Sequence, residues 1–170
     1  MTRPGLLLAI AAGCLACVGL AAQPPRPLFQ TSDRCLACHN GLTTSSGEDV
    51  SIGFDWRASL MANSSRDPYW QGSVRRETID HPESAAEIED TCARCHMPME
   101  RYAAKVEGSR AQVFAHLPFK ARRDGGSFAE DGVSCSLCHQ IGAAKLGAPE
   151  SFTGGFEIDP PDAQGNRREY

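Results

Sequence analysis

The sequence predicts a mainly α-helical chain with extensive coil. Residues 67–78 and 83–96 place apolar side chains at helical spacing, and the first of these stretches opens on a capping residue followed by proline. The 170 residues include 16 glycines and 11 prolines, which disfavours long uninterrupted elements. Aromatic residues make up only 7% of the chain. We therefore expect short helices, joined by loops, around a core that is poor in large side chains.

Residues 1–22 have the pattern of a secretory signal peptide. Arg3 is followed by an apolar run from Leu6 to Leu20 and then by small residues, so cleavage is expected after Ala22. Two alternatives are an uncleaved membrane anchor and a lipid on Cys14, and we expect membrane association only through one of these. Export predicts a periplasmic location, where disulfides are permitted.

The elements after the signal peptide follow in order. Residues 23–34 form a Pro-rich lead-in that is expected to be extended. Asp55 is expected to cap a short helix that ends near Ala62, and Asp67-Pro68 to open a second helix with Trp70, Val74 and Thr78 on one stripe.

Two further helices are predicted in the middle of the chain. The helix from 83 to 96 carries an apolar face formed by Ala85, Ile88, Cys92 and Cys95, and Pro98 would end it. A short helix over 100–107 would stop at Gly108. The Gly- and Pro-rich residues 140–170 contain no His, Cys or Met and are expected to form a flexible tail.

The six cysteines that remain after cleavage all occur in one kind of motif. Each belongs to C-x-x-C-H, the attachment signature of c-type haem. The spacing suits this chemistry because one helical turn sets two thiols against two vinyl groups, and the next residue directs an imidazole at the iron. The cysteines are Cys35, Cys38, Cys92, Cys95, Cys135 and Cys138, and the proximal histidines are His39, His96 and His139.

These cysteines allow three other interpretations. A C-x-x-C pair is also found in thioredoxin-type redox sites, two such pairs can hold zinc, and six cysteines can form three disulfides. None of these explains why histidine follows the second cysteine every time. Three of the chain's five histidines stand at that position. The sequence therefore predicts three covalent haem c groups on residues 35–139, which the chain wraps as its hydrophobic core.

The chain contains few residues that could bind the three irons on the side opposite the motif histidines. Only His81 and His116 remain for three irons, so the chain cannot supply three bis-histidine haems. His116 lies in an apolar stretch and is favoured as a ligand, with a buried histidine bonded to a carbonyl or propionate as the alternative. His81 precedes Pro82 and suits a surface position equally well. Met61 is the third candidate, with ordinary packing as its alternative.

Charge and hydropathy exclude two classes of protein. The formal net charge is −4, and no basic stripe is available to neutralise phosphates, so nucleic acid is not expected as a partner. The single apolar run lies at the N-terminus, which excludes a polytopic membrane protein.

The chain resembles the multihaem cytochromes c of the cytochrome c-552/c-554 type. The resemblance rests on the three C-x-x-C-H motifs, on Trp56-x-x-Ser59-x-Met61-Ala62-x-x-x-x-Asp67-Pro68-x-Trp70 and on Asp131-Gly132-Val133-x-Cys135. It implies thioether bonds at the six cysteines and iron ligation by the three motif histidines. Many relatives have Ser-x-His-Ala where this chain has Ser59-Leu60-Met61-Ala62, which makes Met61 the preferred third distal ligand.

The resemblance also bears on length and function. Relatives commonly continue to further haems, so we expect this chain to be a C-terminally truncated form of a longer protein. The expected function is transfer of single electrons between redox protein partners, without catalysis. The alternatives are an enzyme of the nitrite reductase or hydroxylamine oxidoreductase type with one open-coordinate haem, or a subunit or fragment of a larger electron conduit.

Overall fold

The computed structural model describes residues 27–120 and 126–168, and this part of the chain is mainly helical with much coil, as predicted. Its α-helices are α1 (Ser32–Leu36), α2 (Gly53–Arg57), α3 (Pro68–Asp80), α4 (Ala85–His96), α5 (Pro98–Val106) and α6 (Cys135–Cys138). Short 3-10 turns cover Pro82–Ser84, Val113–Ala115 and Pro149–Thr153. The predicted signal peptide and residues 23–26 of the Pro-rich lead-in lie outside the described residues. Within the described ranges no strand forms, and two isolated β-bridges join Thr43 to Asp49 and Ile141 to Ile158.

Helix α3 confirms the strongest prediction from the sequence. The Asp67 side chain accepts a hydrogen bond from the amide of Tyr69 at 2.9 Å, and Pro68 occupies the first turn. Trp70 and Val74 are buried, one helical turn apart. This helix packs along α4 and thereby sets one wall of the core.

Helices α4 and α5 also form close to their predicted positions. Pro82–Ser84 forms a 3-10 turn before α4, which ends at His96, and Pro98 opens α5. Gly108 follows α5 with a φ of +73°, a left-handed conformation that suits glycine. Helix α4 contacts both α3 and α5, so these three helices pack as one group.

The buried face of α4 differs from the predicted one. Asp90 and Ala93 are buried, whereas Ile88 and Cys92 are only half-buried and Cys95 is exposed. Apolar periodicity alone does not distinguish a face covered by protein from one left for another group to cover.

Two expectations for the first third of the chain are wrong. Asp55 lies inside α2 and does not cap it, because the helix begins at Gly53 and ends at Arg57, short of Ala62. The extended lead-in stops at Thr31, since α1 begins at Ser32.

The expectation of a flexible tail is wrong for residues 141–158. Phe156 stacks on Tyr102, with ring centroids 5.7 Å apart. The amide of Ile158 donates to the Tyr102 hydroxyl at 3.0 Å, and the Ile158 side chain is only 9% exposed. The tail thus closes a core whose other buried residues are Phe29, Met99 and Leu137.

A second core lies between α3, α4 and the loop that follows α5. Its buried residues are Trp70, Val74, Ala93, Met97, Ala111, Val113 and Ala129. None of the described helices is long and apolar enough to cross a membrane.

Candidate haem-attachment sites

The three C-x-x-C-H motifs share one local backbone structure. In the first motif the amide of His39 donates to the Cys35 carbonyl at 3.0 Å, and in the third the amide of His139 donates to the Cys135 carbonyl at 2.9 Å. The second motif forms the last turn of α4. Each motif therefore folds as a helical turn, with its first cysteine and its histidine one turn apart.

The thiols of each motif differ in exposure in the same way. Cys35, Cys92 and Cys135 are half-buried, whereas Cys38, Cys95 and Cys138 are exposed. No disulfide joins any of them. His39 and His139 are exposed, and His96 is half-buried. Each motif thus lies at the protein surface, with its inner edge against the protein.

The environment of the thiols does not favour thiolates. Desolvation by the surrounding protein raises the pKa of Cys92 and Cys138, although part of the Cys138 side chain is exposed. Desolvation together with the nearby Cys35 raises the pKa of Cys135 to about 11. A thiol–disulfide oxidoreductase needs a lowered thiol pKa, because the thiolate is the nucleophile. The thioredoxin-type reading therefore conflicts with the surroundings of these three cysteines.

The first and third motifs lie side by side. Helix α1 packs against α6, and Cys35 lies near enough to Cys135 to raise the pKa of the Cys135 thiol. The amide of Gln30, just before α1, donates to the hydroxyl of Ser136 in α6 at 3.0 Å. Residues far apart in sequence are thus brought together at the cysteines of these two motifs.

His96 of the second motif is held on two sides. Its Nδ1 lies 2.8 Å from the carbonyl oxygen of Ser64, and the Ser64 hydroxyl donates to the His96 carbonyl at 3.1 Å. Because a carbonyl only accepts, Nδ1 carries the hydrogen, and the lone pair of the neutral ring is on Nε2. The Trp70 indole stacks on the imidazole, with centroids 4.3 Å apart and planes 3° from parallel. The ring therefore offers Nε2 as a metal ligand in a fixed orientation.

A short junction ties the three motifs together. Asp131 accepts hydrogen bonds from the amide and the hydroxyl of Ser32, at 2.7 and 2.6 Å, and so holds the start of α1. Val133 donates to the Met61 carbonyl at 3.0 Å, two residues before α6. Residues 61–64 also contact the second motif, because Ser64 hydrogen-bonds His96. The two sequence segments that carry the family resemblance thus meet in space.

The described residues contain three buried side-chain polar atoms without a hydrogen-bond partner: Trp70 Nε1, Ser134 Oγ and Gln140 Oε1. Trp70 stacks on the second motif, and Ser134 and Gln140 directly flank the third. Buried polar groups are normally satisfied. Their position beside the motifs, together with two thiols and one imidazole in each motif, fits a site built around haem c.

The three candidate distal ligands differ in their surroundings. His116 Nε2 lies 3.2 Å from Glu100 Oε1, and this hydrogen bond raises the pKa of His116. Both residues line a cavity of about 990 Å³ between α4, α5 and residues 109–116. The side chain of His81 is 58% exposed, and Met61 is 56% exposed.

Comparison of the chain with protein-family models, with curated proteins and with solved structures finds no match. The resemblance to c-552/c-554 cytochromes therefore rests on the motif residues alone. In the described part of the chain, no three His, Cys, Asp or Glu side chains are grouped closely enough to hold a metal ion.

The sequence alone does not predict a role at the candidate site for Ser64, Trp70 or Asp131. Trp70 and Asp131 do belong to the two segments that carry the resemblance, and this was the available signal for them. Ser64 acts through its carbonyl and hydroxyl on a residue far along the chain, and its position in the sequence carries no signal of that contact.

Proposed function

We propose that this chain is a periplasmic cytochrome of the c-552/c-554 type that carries single electrons between redox proteins through three covalently bound haems. One observation carries the proposal. Every cysteine after the N-terminal segment belongs to C-x-x-C-H, and each motif folds as a helical turn at the surface. The raised thiol pKa values, the Ser64 carbonyl that engages Nδ1 of His96 and the unpartnered polar atoms beside the motifs support it.

The chain's own residues would attach and orient the haems. Each thiol would add across one vinyl group of a haem, with the thiol hydrogen transferred to the neighbouring vinyl carbon, so attachment would need no oxidant or reductant. His39, His96 and His139 would each hold an iron through an imidazole nitrogen. A bound haem supplies the reversible one-electron change, while the protein orients it and tunes its potential. On this proposal the haem of the second motif would cover the face of α4 that carries Cys92 and Cys95.

The order of the haems in space would differ from their order in sequence. Cys35 and Cys135 are in contact, so the haems of the first and third motifs would be neighbours. The second would be coupled to them through residues 61–64 and the turn at Asp131–Gly132.

Haem counting tests this proposal. The protein is produced with a c-type haem attachment system and examined by mass spectrometry and by the pyridine haemochrome assay. We expect three haems per chain, and two in the variant Cys92→Ala/Cys95→Ala. As a control, Ser46→Ala, in the exposed loop before α2, keeps three. Protein that carries no haem under these conditions would overturn the proposal.

One observation favours a second candidate function, a haem enzyme with an open iron of the nitrite reductase or hydroxylamine oxidoreductase type. His116 is engaged by Glu100, and the side chains of His81 and Met61 are mostly exposed. Low-temperature EPR of the oxidised three-haem protein separates the two candidates. Low-spin ferric signals alone favour the electron carrier. A high-spin signal equivalent to one haem per chain favours the enzyme, and nitrite and hydroxylamine would then be added as ligands.

A further inference from the structure

Trp70 combines two properties that packing in a protein core does not explain together. Its side chain is 93% buried in the core between α3 and α4, since only 7% is exposed, and its Nε1–H has no acceptor. Its ring also lies flat against the imidazole of His96. A buried donor without a partner costs about 1–3 kcal/mol. Phenylalanine would provide the same stacking without that cost.

The neighbours of Trp70 in this core are apolar. The other buried residues of this core are Val74, Ala93, Met97, Ala111, Val113 and Ala129. The second haem, held by Cys92, Cys95 and His96, would be the nearest group with free acceptors. The acceptors at the edge of a haem are its two propionate carboxylates, and a hydrogen bond to a charged group is worth more than one to a neutral group.

We propose that Trp70 is a positioning residue for the haem of the second motif, which it orients by stacking on His96 and by donating its Nε1–H to a propionate of that haem. This inference rests on the proposed function, because it requires a haem at Cys92 and Cys95. It adds a specific donor and a specific class of acceptor, a haem carboxylate.

The first test observes the indole directly. The chain has two tryptophans, so Trp56→Phe leaves Trp70 as the only one. Ultraviolet resonance Raman spectroscopy reports whether an indole N–H is hydrogen-bonded. We expect a hydrogen-bonded indole in the three-haem Trp56→Phe protein, and loss of that signature when Cys92→Ala/Cys95→Ala removes the second haem. The same signature in both proteins would overturn the proposal.

The second test measures potentials. Trp70→Phe keeps an aromatic ring against His96 and removes only the donor. We expect three haems to remain and the midpoint potential of one haem to fall, because the propionate charge is less well compensated and favours ferric iron. Trp56→Phe is the matched control, with unchanged potentials.

The outcomes separate this inference from the proposed function. Three attached haems with identical potentials in Trp70→Phe and Trp56→Phe would overturn the role of Trp70 and leave the cytochrome intact. A chain without haem would overturn the proposed function itself. If Trp70→Phe fails to fold, the Raman comparison decides alone, because Trp70 is unaltered in it.

Discussion

At the scale of single residues, Gly132 is the most constrained position of the junction. Its φ is +64°, in the left-handed region. A Cβ built there would lie 2.6 Å from the Met61 carbonyl oxygen and 2.9 Å from that of Ala62. These are backbone atoms, so they cannot move aside as a flexible side chain would. Glycine is required both for the conformation and for the close approach of residues 61–64.

We therefore expect Gly132→Ala to lower the free energy of unfolding by about 2–4 kcal/mol, of which roughly 1–2 kcal/mol comes from the left-handed conformation. Chemical denaturation measures this change. Gly147→Ala is the matched control, because Gly147 also has a positive φ, +84°, but has open space where the methyl would go. Gly147→Ala should lower the free energy of unfolding only by the roughly 1–2 kcal/mol that comes from the left-handed conformation. Equal costs at the two positions would show that the junction is not tightly packed.

At the scale of elements, α1 depends on a residue outside it. This helix has five residues, and Thr31 at its N-cap makes no capping hydrogen bond to it. An isolated helix of this length is not stable in water. Asp131, only 6% exposed, satisfies both the amide and the hydroxyl of Ser32 at its start. The turn that carries Cys35 is thus anchored from the segment before the third motif.

Asp131→Ala should lower the free energy of unfolding by about 3 kcal/mol, because it leaves two donors of Ser32 buried without an acceptor. Amide hydrogen exchange within α1 should accelerate more than exchange within α3, which has its own cap at Asp67. Asp55→Ala serves as the control: Asp55 is exposed, so its change should stay within about 0.5 kcal/mol. If α1 keeps its protection in Asp131→Ala, the anchoring role is wrong.

At the scale of the whole molecule, the core that the tail closes joins distant parts of the chain. Phe29 precedes the first motif, Met99 is in α5, Leu137 is inside the third motif, and Ile158 comes from the tail. Closing this core brings the N-terminal segment next to the third motif, where Gln140, two residues after α6, donates to the Leu28 carbonyl at 3.3 Å. The tail therefore stabilises the pairing of the first and third motifs.

Ile158→Ala should lower the unfolding free energy by about 2–4 kcal/mol, because it removes a buried side chain from this core. The loss should also appear at a distance, as faster exchange of the Gln30 amide that bonds Ser136. Leu146→Ala, at a tail position that is 69% exposed, should leave both quantities nearly unchanged. A tail that acted independently of the core would give the same result for both variants.

The elements with strong local signals were predicted from the sequence. Asp67-Pro68 and the spacing of Trp70 and Val74 define α3, and Pro98 marks the boundary between α4 and α5. The failures lie where local signals are weak. Asp55 has the side chain of a capping residue, but the chain enters α2 two residues earlier, and the Gly-rich tail packs because Phe156 and Ile158 find Tyr102. Those contacts are long-range and have no periodic pattern.

The sequence by itself determined the three C-x-x-C-H motifs that carry the proposed function, because each motif is a local pattern that lies within one helical turn. The tertiary structure alone decided which motifs are neighbours and what holds them. The contact of Cys35 with Cys135, the carbonyl of Ser64 at His96 and the carboxylate of Asp131 at Ser32 each join residues that are far apart in the chain. Such contacts depend on how the helices pack, and packing is fixed only when the whole chain has folded.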